Sequence, residues 1–477
     1  MIDLKCYING TFVALYEAST FNVINPATEE VIANLPLGSE KEVDMAVEAA
    51  RRAFKTFQFS PKEERINLLE KFIDAYGKRV DDIAVAVTTE MGCPDWLSKE
   101  AQALAPLEQT KILLEVLKSN SFEKDYKISK VKRVPIGVCG LITPWNWPIA
   151  VTIPKIIPAI AVGCTVVWKP SVYAPLCAQV LAEIMDEINL PKGVFNMIYG
   201  RGGIVGKAIS SHPDIDCVTF TGSTRAGIDI AERAAKTLKR VAQELGGKSP
   251  NIILPSADIV EKTKLAIKGL MINSGQTCSA PSRLIVQNSK MEEVKNTILE
   301  MEKEITVGSP KGDVFIGPVV NKTQYERVQG FIQSGIEEGA TLLIGGPGKP
   351  DGLEVGYYVK PTIFINTTPD MKIVKEEIFG PVLVVQGYDT VEEAIELACD
   401  TKYGLAAYIQ GKDLEEIKSV ADRIPAGQVC FNDANFELFD PYAPFGGFKQ
   451  SGNGRECGEL GFDEFLEYKA LIGYFAQ

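Results

Sequence analysis

Apolar residues recur at helical spacing from Val43 to about Lys118, and helix-starting signals precede them. Ser39 with Glu42 makes a capping-box pattern ahead of Val43, Val47, Ala50 and Phe54. Ser60, with Pro61 at the first helical position and Glu63, makes another ahead of Ile66, Leu69 and Ile73. Residues 1–35 alternate short apolar runs with turn signals at Asn9-Gly10 and Asn25-Pro26, which predicts hairpins. From Ile136 the period changes to strand-like runs near 136–142, 164–169, 194–199, 216–221 and 239–244, separated by helix-length stretches. Parallel neighbours need a crossover connection, so this alternation predicts βαβ units, a mostly parallel sheet, and ligands at the carboxyl ends of its strands.

A second alternating region opens at Asn251-Ile252-Ile253-Leu254 and runs to about Asn432, with strand-like Leu284–Gln287, Thr362–Ile365 and Val382–Val385. The Gly- and Pro-rich stretch 444–452 reads as a loop, and the apolar run Phe465–Phe475 reads as a strand in need of a partner. The 20 residues from Ile149 to Trp168 have the length of a membrane span, but Pro154, Lys155, Pro158 and Gly163 interrupt them and Lys169 follows. A buried crossover helix running into a buried strand explains them better.

The 477 residues suffice for two or three domains at roughly 100–200 residues each. Net charge is −12, with acids and bases interspersed, so no basic stripe marks nucleic acid as a principal partner. A single histidine, His212 in Ser211-His212-Pro213, leaves no room for a multi-histidine metal site and makes a Ser-His-Asp apparatus depend on one loop residue. No metal site is expected. Ten cysteines without a CxxC pair suit a reduced, cytoplasmic protein, and the N-terminal residues lack the pattern of a signal peptide.

Candidate chemistry collects on loops that follow strands and helices. Cys278, in Asn273-Ser274-Gly275-Gln276-Thr277-Cys278-Ser279, leaves a helical stretch ending near Met271 and can be presented to a ligand. An ordinary thiol, with a pKa of about 8.5, needs help to ionise near neutrality. Glu244 ends a strand before Leu245-Gly246-Gly247, where desolvation would raise its pKa towards that of a general base; a solvated turn is the plainer reading. Ala242–Ser249 loosely fits a phosphate loop, but Pro250–Leu254 continues as a strand where such a loop would open a helix. Gly200-Arg201-Gly202-Gly203-Ile204-Val205-Gly206 is one residue longer than the usual dinucleotide fingerprint. Phe220-Thr221-Gly222-Ser223 ends a strand before a helix and can aim N–H groups at a diphosphate, Lys169 leaves a buried strand, and Asn146 holds an amide on the stiff turn Pro144-Trp145-Asn146-Trp147-Pro148.

Seven motifs in order, PWNWP at 144–148, WKPS at 168–171, FTGS at 220–223, ELGGKSP at 244–250, GQTCS at 275–279, EEIFGP at 376–381 and PFGGFKQSGNGRE at 444–456, resemble the aldehyde dehydrogenase superfamily. The resemblance implies an α/β fold with three parts: a Rossmann-like cofactor domain (1–118 and 136–246), an α/β catalytic domain (247–445), and a small β oligomerisation extension (119–135 and 462–477). It implies NAD(P)-dependent oxidation of an aldehyde to a carboxylic acid, of the general NAD-dependent aldehyde dehydrogenase type, in a homodimer or homotetramer. By resemblance Cys278 is the nucleophile, Asn146 with the Cys278 N–H holds the oxyanion, and Glu244 activates the hydrolytic water. Lys169 and Glu377 would meet the two riboses, Phe379 the nicotinamide, and Trp145, Ser171, Gly202, Gly206, Phe220, Gly222, Ser223 and Leu245 the rest of the cofactor.

One departure concerns cofactor choice. Many NAD-preferring members carry a glutamate where this chain has Val172, which removes both a ribose hydrogen bond and a charge that would repel the 2′-phosphate of NADP. NAD is the family default, and NADP stays open. Glu244 favours hydrolysis over acyl transfer to coenzyme A. A silent dinucleotide-binding scaffold and a cofactor-free esterase are the rival readings. Trp147, Phe436 and Phe439 suggest an apolar wall for an aliphatic or aromatic aldehyde, and Arg283 and Arg455 are the cations available to a substrate carboxylate.

Overall fold

The computed structural model describes residues 4–15, 18–435 and 437–476. Asn9 and Gly10, with φ of 53° and 76°, turn the antiparallel hairpin Cys6–Ile8/Thr11–Val13, the left-handed pair that Asn-Gly accommodates. A second hairpin pairs Thr20–Ile24 with Val31–Pro36. The Ser39 capping box forms ahead of helix Glu40–Phe57. The one expected at Ser60 does not. Helix Lys62–Lys78 begins after Pro61 with no side-chain cap, because the Ser60 hydroxyl donates to the Phe57 carbonyl of the preceding helix.

Strands Arg240–Glu244, Cys217–Thr221, Val138–Ile142, Thr165–Lys169 and Phe195–Met197 lie side by side in parallel, and the first hairpin extends them to seven strands. Val138–Ile142 and Thr165–Lys169 are buried throughout, as a sheet covered on both faces requires. Each buried valine, leucine or isoleucine there contributes roughly 1.5–3 kcal/mol. The apolar run at 149–168 is the crossover expected: helix Ile153–Val162, wholly buried, ends at Gly163 in the left-handed region and feeds strand Thr165–Lys169. Among the described residues no helix is long and apolar enough to cross a membrane.

A second seven-stranded sheet, in the order Thr341–Ile344, Thr362–Ile365, Val382–Tyr388, Arg283–Gln287, Pro250–Ile253, Ala406–Gln410 and Gln428–Phe431, is parallel apart from its first strand. Thr341–Ile344, Ala406–Gln410 and Gln428–Phe431 escaped the sequence pattern; Ala406-Ala407 carries little strand propensity and is held by its neighbours. In a third sheet Leu466–Leu471 pairs antiparallel with Lys130–Pro135, so the C-terminal strand has a partner within its own chain, and it remains an edge strand.

Candidate active site

Cys278 is reached through three consecutive residues in the left-handed region, Asn273, Ser274 and Gly275, with φ of 54°, 55° and 72°. For asparagine and serine that conformation costs roughly 1–3 kcal/mol each, so surrounding bonds must hold it. They do: Asn273 Nδ2 donates to the Asn146 carbonyl at 2.9 Å, Ser274 Oγ to the Gly317 carbonyl at 2.8 Å, and Gln276 Oε1 accepts from Val320 N at 2.9 Å. Asn146 Nδ2 donates to the Gln276 carbonyl at 3.0 Å, which ties the PWNWP turn to the cysteine loop and leaves its second N–H for another acceptor. Trp147 Nε1 donates to Thr277 Oγ1 at 2.9 Å, so its ring stands beside the residue preceding the thiol.

Cys278, Thr277, Glu377, Phe379 and Gly247 line one cavity of about 260 Å³. Burial, then the charges of Glu377 and Glu244, push the Cys278 thiol up to about 12 although the residue as a whole is half-buried. Burial thus favours the neutral thiol over the thiolate in this arrangement. Glu377 Oε1 accepts the Gly247 N–H at 3.1 Å, and burial raises its carboxyl to about 7. Phe379, with φ of 64°, meets Trp145 edge-on at 5.5 Å.

Glu244 lies in a different cavity, of about 220 Å³, with Gly454, Arg455, Glu456 and Glu464. Among the described residues neither of its buried carboxyl oxygens has a partner, and a β-carbon at Gly454 would sit 2.9 Å from Oε1. Burial first, and the neighbouring Glu456 second, raise its pKa well above the ordinary carboxylate range. Glu456 forms a buried ion pair with Lys155. Neither stood out in the sequence, where Lys155 interrupts an apolar run and Glu456 ends a loop; a lysine inside a wholly buried helix was the available signal.

The expected cofactor residues gather along the carboxyl ends of the first sheet. Lys169 Nζ donates to the carbonyls of Pro170 at 2.8 Å and Gly200 at 3.3 Å, and burial lowers its pKa to about 8. The Ser171 hydroxyl accepts from Tyr173 N. Gly206 faces the Lys169 stem, whereas a β-carbon at Gly202 would meet nothing within 4 Å. Gly222 lies under the Phe220 ring, Ser223 caps helix Thr224–Ala234, and Leu245 packs against Gly227 of that helix. The Thr221 hydroxyl is buried without a partner among the described residues. An open glycine surface, a helix start, an orphaned hydroxyl and a buried lysine fit a dinucleotide diphosphate and ribose.

Other residues resolve as structural. Arg283 donates through all three guanidinium nitrogens to the carbonyls of Lys248, Leu397 and Ala398, so it offers no free fork to a substrate carboxylate, and Arg455 Nη1 donates to the carbonyls of Gly447 and Gly454. His212 sits between Asp44 and the Asp214 N–H. Pro250–Ile253 is a strand, not the helix a phosphate loop needs. Phe436 lies outside the described residues, and Phe439 is exposed. Among the described residues no group of three histidine, cysteine or acidic side chains is placed to hold a metal.

The aldehyde dehydrogenase family model matches residues 13–471. The chain is 48% identical over 470 residues to a 3-succinoylsemialdehyde-pyridine dehydrogenase of a Pseudomonas species, covering 98% of each. It superposes with a TM-score of 0.97 and 44% identity on aldehyde dehydrogenase C of Pseudomonas syringae, solved as a mutant with NAD+ and octanal, covering 99% of this chain and 97% of that one. The NAD+ complex of a Bacillus cereus aldehyde dehydrogenase gives 0.94 at 39% identity, covering 98% and 96%.

Proposed function

The chain belongs to the aldehyde dehydrogenase family and oxidises aldehydes with a nicotinamide dinucleotide, and from that premise we propose that Cys278 is its nucleophile. The observation that carries the assignment is the single cavity joining Cys278 to Glu377 and Phe379, beside an Asn146 amide fixed on Gln276.

In this reading the Cys278 thiol releases its proton to solvent water, the thiolate attacks the aldehyde carbon to form a thiohemiacetal, and the resulting oxyanion accepts from the free Asn146 N–H and the Cys278 backbone N–H. Loss of a hydride from that carbon to a bound nicotinamide would leave a thioester on Cys278. Lys169 and Glu377 orient the cofactor through its riboses, with Trp145, Ser171, Gly202, Gly206, Phe220, Gly222, Ser223, Leu245 and Phe379 around it. Glu244 then swings from its cavity toward Cys278, deprotonates water, and that water hydrolyses the thioester to a carboxylic acid. Burial and the neighbouring Glu456 raise its pKa, which makes it a stronger base than an ordinary carboxylate.

The substrate is proposed to be an aliphatic or aromatic aldehyde. Trp147 beside Thr277 supports an apolar approach, and the Pseudomonas relatives are named or solved with a pyridine semialdehyde and octanal. NAD, held by two of the relatives, is the proposed default cofactor, and Val172 admits NADP. The cofactor domain would comprise 1–118 and 136–246, the catalytic domain 247–445, and the third sheet an oligomerisation surface of a cytoplasmic homodimer or homotetramer. Absorbance at 340 nm, over a panel of aldehydes with each dinucleotide, tests this: Cys278→Ala should cut turnover at least about a thousandfold. Retained oxidation would remove Cys278 from the mechanism.

A further inference from the structure

The Lys169 ammonium bonds the Gly200 carbonyl, so the peptide of Arg201 begins beside the lysine proposed for the adenosine ribose. From there the Arg201 guanidinium lies over the ring of Phe21, 5.6 Å from its centroid. Phe21 meets Tyr173 edge-on at 5.4 Å, and Tyr173 directly follows Val172. Arg201 is thereby held on the same rim as Lys169 and Val172. It is exposed and, among the described residues, has neither an ion pair nor a hydrogen-bond acceptor, and Gly202 and Gly203 beside it leave open space.

A guanidinium presents five N–H donors in a planar fork that matches a phosphate, and stacking on an aromatic ring fixes its orientation without using those donors. A carboxylate at position 172 would compete for this cation and repel a phosphate, whereas valine does neither. We propose that Arg201, held over Phe21, recognises the 2′-phosphate of NADP, so that this chain binds NADP at least as tightly as NAD. The inference rests on the reading that residues 169–206 hold the adenosine half of the cofactor.

Isothermal titration of the purified full chain with NADP and with NAD separately reads binding without catalysis. Arg201→Ala should weaken NADP about tenfold and NAD less than about twofold, while Arg201→Lys should fall between, since a point charge replaces the fork. The preference should shrink when salt rises from about 50 to about 300 mM. Val172→Glu, with Arg201 intact, should also weaken NADP about tenfold and spare NAD. Unchanged NADP affinity in Arg201→Ala, equal losses for both dinucleotides, or a wild-type protein that binds NAD alone would overturn the role of Arg201. A wild-type protein that binds neither would overturn the placement of the adenosine site and this proposal with it.

Discussion

At the edge of the first sheet a β-carbon on Gly202 or Gly203 would meet nothing within 4 Å, whereas beside Cys278 one on Gly275 would lie 2.1 Å from the Gly380 carbonyl and one on Gly247 2.4 Å from that of Cys278. Both sheets are seven-stranded and mostly parallel, and both place glycine-bearing loops beside the proposed site. Their glycines act differently. At Gly202 and Gly203 the missing side chain leaves room for something to approach from outside the fold, while at Gly275 and Gly247 it lets two backbones touch, so that strained residues hold one arrangement. Binding and chemistry are thus built on unlike surfaces, one open and one closed.

The largest effect that would break this contrast is expected at Gly275. Gly275→Ala, at φ of 72° and against a carbonyl, should cost about 2–4 kcal/mol and lower the thermal midpoint, with loss of activity. A stable, active variant would show that the cysteine loop is not closed as described. Lys169→Met comes next. It should weaken dinucleotide binding about tenfold, measured by titration, with the fold retained. The same lysine predicts a pH profile. Its pKa near 8 in the free protein means that it is protonated below that value and loses a cationic donor above it. Dinucleotide affinity should therefore fall as pH rises through about 8, and Lys169→Met should flatten the profile. The smallest change is expected for Gly202→Ala: stability within about 0.5 kcal/mol of the parent, since the site is open, but dinucleotide binding about threefold weaker from lost approach. A large drop in stability there would erase the distinction between the two kinds of glycine.

How far the sequence reached follows the same division. Buried parallel strands such as Val138–Ile142 and Thr165–Lys169 were legible because continuous apolar runs between turn signals have few other readings. Ala406–Gln410 was not, since its small residues become a strand only between Pro250–Ile253 and Gln428–Phe431. Ser60 shows a local pattern overridden by a neighbour, its hydroxyl being taken by the Phe57 carbonyl. Individual motif residues could be picked out, but their distances could not. That Glu244 rests in a cavity with Glu456, apart from the one containing Cys278, depends on loops more than 200 residues apart in sequence meeting in space. Lys155 carried no motif and Glu456 only closed the one at 444–456, so it is their burial as a pair that marks them.

The most direct test of the division of labour between Cys278 and Glu244 is intact-protein and peptide mass spectrometry of Glu244→Gln mixed with aldehyde and dinucleotide. The account predicts that the first turnover proceeds, that steady turnover falls about a hundredfold or more, and that an acyl group accumulates on the peptide containing Cys278. Undiminished turnover without an adduct, or an adduct on another residue, would contradict it.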